Sequence, residues 1–134
     1  MQKQKSNSKS VYISQSEIDG AAATRAAAHH KYARISPKKV MPVLNAVRGK
    51  PVDAAVNFLT FDTTKASKMV LKTLNSAVAN ARQKGEASRL FVEKAVADTA
   101  PTAKRGRFGS RGHSSRILKR SAHITVVVGE KESK

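Results

Sequence analysis

From Thr99 to Gly129 the sequence contains no Asp or Glu, yet Lys104, Arg105, Arg107, Arg111, Arg116, Lys119 and Arg120 place seven cations there, with His113 and His123 beside them. Such a run repels itself and holds a fixed shape only against counter-charge, of which closely spaced phosphates are the strongest source. Within it Gly106, Gly109 and Gly112 recur every third residue around Arg107, Phe108, Ser110 and Arg111. Glycine permits close backbone approach to a ligand and positive φ at a hairpin tip, and Phe108 or an Arg plane can stack on an exposed base. The competing reading is a loose glycine-rich loop whose charges are merely solvated.

The segments flanking this run read as β. Leu90–Ala97 is one strand candidate and Ile117–Val128 another, the second ending in the β-branched Ile124-Thr125-Val126-Val127-Val128. Leu118, Ala122, Ile124, Val126 and Val128 share one face, and Lys119, Ser121 and His123 the other. The two strands are expected to pair antiparallel. The connection between them, Asp98–Arg116, is long for a compact domain and is therefore functional or disordered.

Upstream, the periodicity is helical. Ser36 is a candidate N-cap with Pro37 in the first helical position, and Val40, Val43, Leu44 and Val47 recur at helical spacing until Gly49. Pro42 is expected to weaken or bend the early turns. A second helix starts at Pro51, with Asp53 at its positive end, a stripe of Val52, Ala55, Val56 and Leu59, and Phe58 and Phe61 expected to close the core. Thr63 or Thr64 caps a third helix running to about Lys84 and ended by Gly85. Its Ala66, Val70, Leu74, Ala77, Val78 and Ala81 form a core face, and Lys65, Lys68, Lys72 and Arg82 a basic face expected to meet phosphate. The small-residue run Ser76–Ala81 suggests close packing against another element.

Composition narrows the function classes. The 134 residues carry 26 Lys and Arg against 9 Asp and Glu, a net charge of +17, and 40% hydrophobic content with 4% aromatic residues supports one modest core. A polyanion, most simply nucleic acid, is the expected partner, with a membrane surface as the weaker alternative. No apolar run is long enough to span a bilayer, and without cysteine there is neither a disulfide framework nor a thiolate metal site. Residues 1–28 read as a flexible basic tail, Lys/Ser-rich and then alanine-rich over Ala21–Ala28, with an organellar transit peptide as the rival reading. Residues 29–130 form the single domain, and 131–134 a C-terminal tail.

A second acid-free stretch, Gly20–Val52, holds Arg25, Lys31, Arg34, Lys38, Lys39, Arg48 and Lys50, so that basic blocks flank a small core on several sides. The residues expected to bind RNA are Arg34, Lys38, Lys39, Arg48, Lys50, Lys65, Lys68, Lys72, Arg82, Arg116, Lys119 and Arg120. His29-His30 lacks neighbouring ligands of metal-site type, so no metal or other cofactor is expected. The carboxylates Asp53, Asp62, Glu86, Glu93 and Asp98 form no cluster, and no nucleophile or phosphate-loop motif occurs, so the chain is not expected to be an enzyme. A free architectural nucleic-acid binder and a small nuclease are the rival functions.

Three ordered blocks carry a family resemblance. They are Arg34–Val40 continuing through Val47-Arg48-Gly49-Lys50 and Val52–Ala55; Lys72, Leu74 and Ser76–Ala81; and Lys104-Arg105, Ser110-Arg111-Gly112 and Arg116–Val126. Over roughly residues 30–128 the chain resembles the large-subunit ribosomal protein L-twenty-two family in its short bacterial or organellar form. The resemblance implies an α+β fold, three helices on a small antiparallel sheet, with a long protruding β-hairpin at about 98–116. It implies a structural role in the large ribosomal subunit: binding large-subunit ribosomal RNA, aiding assembly and lining the nascent-peptide tunnel. Its implied partners are that RNA, neighbouring ribosomal proteins and the nascent polypeptide, with no membrane, in a ribosome of the bacterial cytoplasm or of an organelle. By position, Lys104, Arg105, Gly106, Arg107, Phe108, Gly109, Ser110, Arg111, Gly112 and His113 are the tunnel-facing tip. Here the chain departs from the family pattern, with Gly109 where Arg is usual, Phe108 where Pro is frequent and His113 where Lys or Arg is usual.

Overall fold

The β-branched run near the C-terminus lies in the middle of a sheet, with a strand paired to each of its edges and Ile124, Val126 and Val128 buried in the core. The computed structural model describes residues 25–84 and 89–130. Ser114–Glu130 forms the central strand (β3), flanked by Arg25–Ala33 (β1) and Leu90–Phe108 (β2), both antiparallel to it, in the order β1-β3-β2. Between β1 and β2 the chain forms Pro37–Val47 (α1), Val52–Phe61 (α2) and Lys65–Gln83 (α3). The class is α+β, three helices packed on a three-stranded antiparallel sheet whose two longest strands continue outward as a hairpin.

The helical stripes meet as their spacing predicts. Val40, Val43, Leu44 and Val47 of α1, Val52, Ala55 and Leu59 of α2, and Ala66, Val70, Leu74, Ala77, Val78 and Ala81 of α3 join Val92, Ala95, Ile124, Val126 and Val128 in one core. Thr64 is the cap of α3, its hydroxyl accepting from the Ser67 amide at 3.3 Å, which satisfies an amide the helix itself leaves unpaired. Ser36 precedes α1 with extended backbone, but only its carbonyl serves, accepting from the Lys39 amide at 3.0 Å; its side chain makes no cap bond. α1 runs on through Pro42, which forfeits one ladder bond where the helix is exposed.

Three expectations are corrected. The alanine-rich stretch assigned to the tail up to residue 28 is ordered from Arg25, because Ala26 and Ala28 are buried and their small side chains let α3 approach β1. Asn80 of α3 donates to the Ala27 carbonyl at 3.0 Å and the Lys84 ammonium to that of Arg25 at 3.1 Å, fastening the strand. Phe58 and Phe61 do not close the core: they lie on the outer side of α2, and Phe61 is 85% exposed. Leu118, expected on the buried face, is exposed because β3 has by then left the core. The long connection between the two strand candidates is the hairpin that the resemblance implies at about 98–116, with β2 and β3 pairing antiparallel out to Phe108↔Ser114. Residues 1–24, Gly85, Glu86 and 131–134 lie outside the described residues.

Candidate nucleic-acid interface

Two bulges set the geometry of the basic surface. In β1 the register moves from His30↔Ile124 to Ala33↔Ala122, so Lys31 and Tyr32 together face His123. In β2 it moves from Ala100↔Ser121 to Ala103↔Lys119, so Pro101 and Thr102 together face Arg120. Proline has no amide to give to a ladder, and a bulge is where a paired strand tolerates it. β1 ends at Ala33, and beyond that level β3 pairs with β2 alone. The sheet narrows to a ribbon at the place where both bulges add twist.

That ribbon is the expected hairpin. From Lys104 to Arg120 every residue is exposed. Phe108 lies eight residues beyond Ala100, so at roughly 3.3 Å per residue the arm extends about 26 Å beyond the last core pair. At the tip the Gly109 amide donates to the His113 carbonyl at 2.7 Å and the His113 amide to that of Ser110 at 3.2 Å. Arg111 and Gly112 close the turn with φ of 55° and 74°. Of the three repeated glycines, Gly112 is the one that the positive φ requires. A Cβ added at Gly109 meets the His113 carbonyl oxygen at 3.4 Å, so a larger residue there is accommodated.

Where the hairpin leaves the core, a groove of about 860 Å³ opens between its base, the β1–α1 connection and the start of α3. Arg34, Lys39, Lys65, Arg105, Lys119 and Arg120 line it, together with Tyr32, Ile35, Ser36, Ala103, Leu118 and Ser121; no carboxylate does. The Lys65 ammonium donates to the Arg34 carbonyl at 3.0 Å, closing one end. Five of the expected RNA-binding residues thus converge on one concavity with Arg105 of the expected tip segment, although they come from three separate parts of the chain. Lys68 and Lys72 continue the exposed line of Lys65 along α3, Lys38 is exposed on α1, and Arg116 stands exposed on the hairpin arm.

Other expected residues lie elsewhere. Arg48 donates to the Ala95 carbonyl at 2.6 Å, tying α1 to β2, and the Lys50 ammonium stands 5.4 Å from the centre of the Phe58 ring. Arg82 lies on a different depression with Asp53, Asn57 and Asn75. Tyr32 was not among the expected binding residues. Its sequence signal, an aromatic ring between Lys31 and Arg34 in an acid-free stretch, is of the type that binds single strands. Among the described residues no group of three or more His, Cys, Asp or Glu is placed to hold a metal ion, and His29 Nδ1 is 3.0 Å from the Thr125 hydroxyl. No helix among them is long and apolar enough to cross a membrane.

Comparison with known proteins identifies a family. Residues 28–129 match the family model for ribosomal protein L22p/L17e. The large ribosomal subunit protein uL22 of Desulfatibacillum aliphaticivorans is 48% identical over 99 residues, covering 73% of this chain and 92% of that protein. The proteins of the same name from Thermoanaerobacter sp. (strain X514) and Thermoanaerobacter pseudethanolicus are each 49% identical over 104 residues, covering 76% of this chain and 94% of theirs. The chain therefore belongs to the ribosomal protein L22p/L17e family, whose members are structural, non-enzymatic constituents of the ribosome.

Proposed function

We propose that this chain is a structural constituent of the large ribosomal subunit that binds large-subunit ribosomal RNA through the groove and the lysine line of α3, aids assembly, and lines the nascent-peptide tunnel with its hairpin. The observation that carries this reading is the hairpin itself. A two-stranded ribbon with both faces exposed and a strong excess of cations has no stability of its own. It becomes a defined object when phosphates on both sides neutralise Lys104, Arg105, Arg107, Arg111, Arg116, Lys119 and Arg120. The partners are then ribosomal RNA and neighbouring ribosomal proteins, with the nascent polypeptide at the tip segment Lys104–His113. The bacterial relatives favour a ribosome of the bacterial cytoplasm.

Sucrose-gradient fractionation of a native lysate, with the chain followed by mass spectrometry, tests the reading. Stoichiometric migration with large subunits that resists a high-salt wash is expected. Loss from the subunit peak together with equal affinity for duplex DNA and RNA at matched salt would favour a free architectural binder instead.

A further inference from the structure

Tyr32 combines three features that core packing does not explain. It is 62% exposed although it is a large aromatic residue, and its backbone φ is 56°, in the left-handed region that bulky side chains rarely adopt. It also sits in the β1 bulge facing His123, a distortion that re-aims a side chain out of the regular ladder. The surroundings hold it there. Its amide donates to His123 Nδ1 at 3.0 Å, which leaves the hydrogen of a neutral His123 ring on Nε2. The two rings meet edge to face, with centroids 4.7 Å apart and planes at 77°. The ring is thus oriented before any ligand arrives, while most of the residue stays open to the groove.

The groove around it has the composition of a base pocket. Ile35, Ala103 and Leu118 line the same groove with aliphatic surface, and Arg34, Lys39, Lys119 and Arg120 line it with cations that can neutralise phosphates. A base paired inside a helix presents only its edge, whereas a splayed base presents a π face. We propose that Tyr32, held by His123, is a stacking platform for a single unpaired nucleobase of RNA, with the groove cations neutralising the phosphates on either side. This rests on the RNA-binding reading above and adds to it one residue and the kind of nucleotide that it takes.

The chain contains two tyrosines and no tryptophan, so in a full-length Tyr12→Phe variant Tyr32 is the sole tyrosine emitter. This variant is titrated with an oligoadenylate of about twelve nucleotides, an abasic ribose-phosphate strand of the same length and an RNA duplex at matched salt. Oligoadenylate is expected to quench Tyr32 emission strongly, and the abasic strand and the duplex weakly. In the otherwise unaltered chain, Tyr32→Ala is expected to weaken oligoadenylate binding roughly tenfold with no change in salt slope, as for the loss of one stacked base. Tyr32→Phe, which keeps the ring, is expected to bind as the unaltered chain does, and thermal melts of both variants report whether the fold is intact. Binding of oligoadenylate without preferential quenching, or with undiminished affinity in a folded Tyr32→Ala, would overturn the stacking role alone. Failure to bind any of the RNAs would overturn the RNA-binding reading with it.

Discussion

Asp62, just before the cap of α3, accepts hydrogen bonds from the Ser67 hydroxyl and from the Thr64 amide and hydroxyl at 3.1 and 3.0 Å. The Ser67 bond, then the Thr64 amide, hold its carboxyl below the ordinary value of 3.8; desolvation opposes them, and the Thr64 hydroxyl adds the smallest lowering. A carboxylate whose folded value is depressed stabilises the fold above its unfolded value. That contribution is lost as the pH falls through the folded value. Asp62→Asn is therefore expected to lower Tm at neutral pH, with a deficit that shrinks as the pH falls below 3.8 and on through the folded value. Circular-dichroism melts across that range check it, and a deficit of constant size down to the lowest pH would show that the contribution is not electrostatic. Thr64 as cap was legible because a hydroxyl before an amphipathic run has one local use. The Tyr32 conformation was not, since its partner His123 lies 91 residues away.

At the scale of elements, the hairpin divides from the core at the Pro101 bulge. Inside that level the strands alternate between core and surface, and outside it both faces are exposed. This is why the periodicity of Leu90–Ala97 and Ile117–Val128 identified strands whereas Asp98–Arg116 read as a connection: alternation records burial on one face, and the outer ribbon buries neither. Under the proposed function the same division separates binding from folding. Replacing Arg105, Arg107 and Arg111 together by Gln is expected to weaken RNA association and reduce the magnitude of the salt slope by about 2–3, roughly 0.9 for each lost phosphate contact. The Tm of the free protein is expected to stay level or rise, since these side chains are exposed and like-charged. Binding isotherms over a salt series, with melts of the same variant, check both halves. Unfolding of the triple variant would mean that the ribbon supports the core.

For the whole molecule, a net charge of +17 on a single small core makes self-repulsion a property of the free protein rather than of any one residue. Raising the salt from about 0.05 to about 0.5 M shortens the Debye length from roughly 14 to 4 Å, so the free protein is expected to melt at a higher temperature in high salt although its RNA affinity falls. Differential scanning calorimetry and filter binding on one preparation check these opposite trends. A Tm that falls with salt would mean that favourable ion pairs such as Arg25–Glu93, with N and O 2.7 Å apart, outweigh the general repulsion. The sequence alone determined the three helical core faces, the two strands Leu90–Ala97 and Ile117–Val128, the excess of positive charge and the family, because helical and strand spacing record burial residue by residue and charge is additive. The tertiary structure decided that β1 completes the sheet, that Phe58 and Phe61 face outward, and that Arg34, Lys39, Lys65, Arg105, Lys119 and Arg120 share one groove with Tyr32. Each of these depends on which segments pair, in what register and around which bulges. That choice is made by contacts between residues far apart in the chain, which no local pattern records.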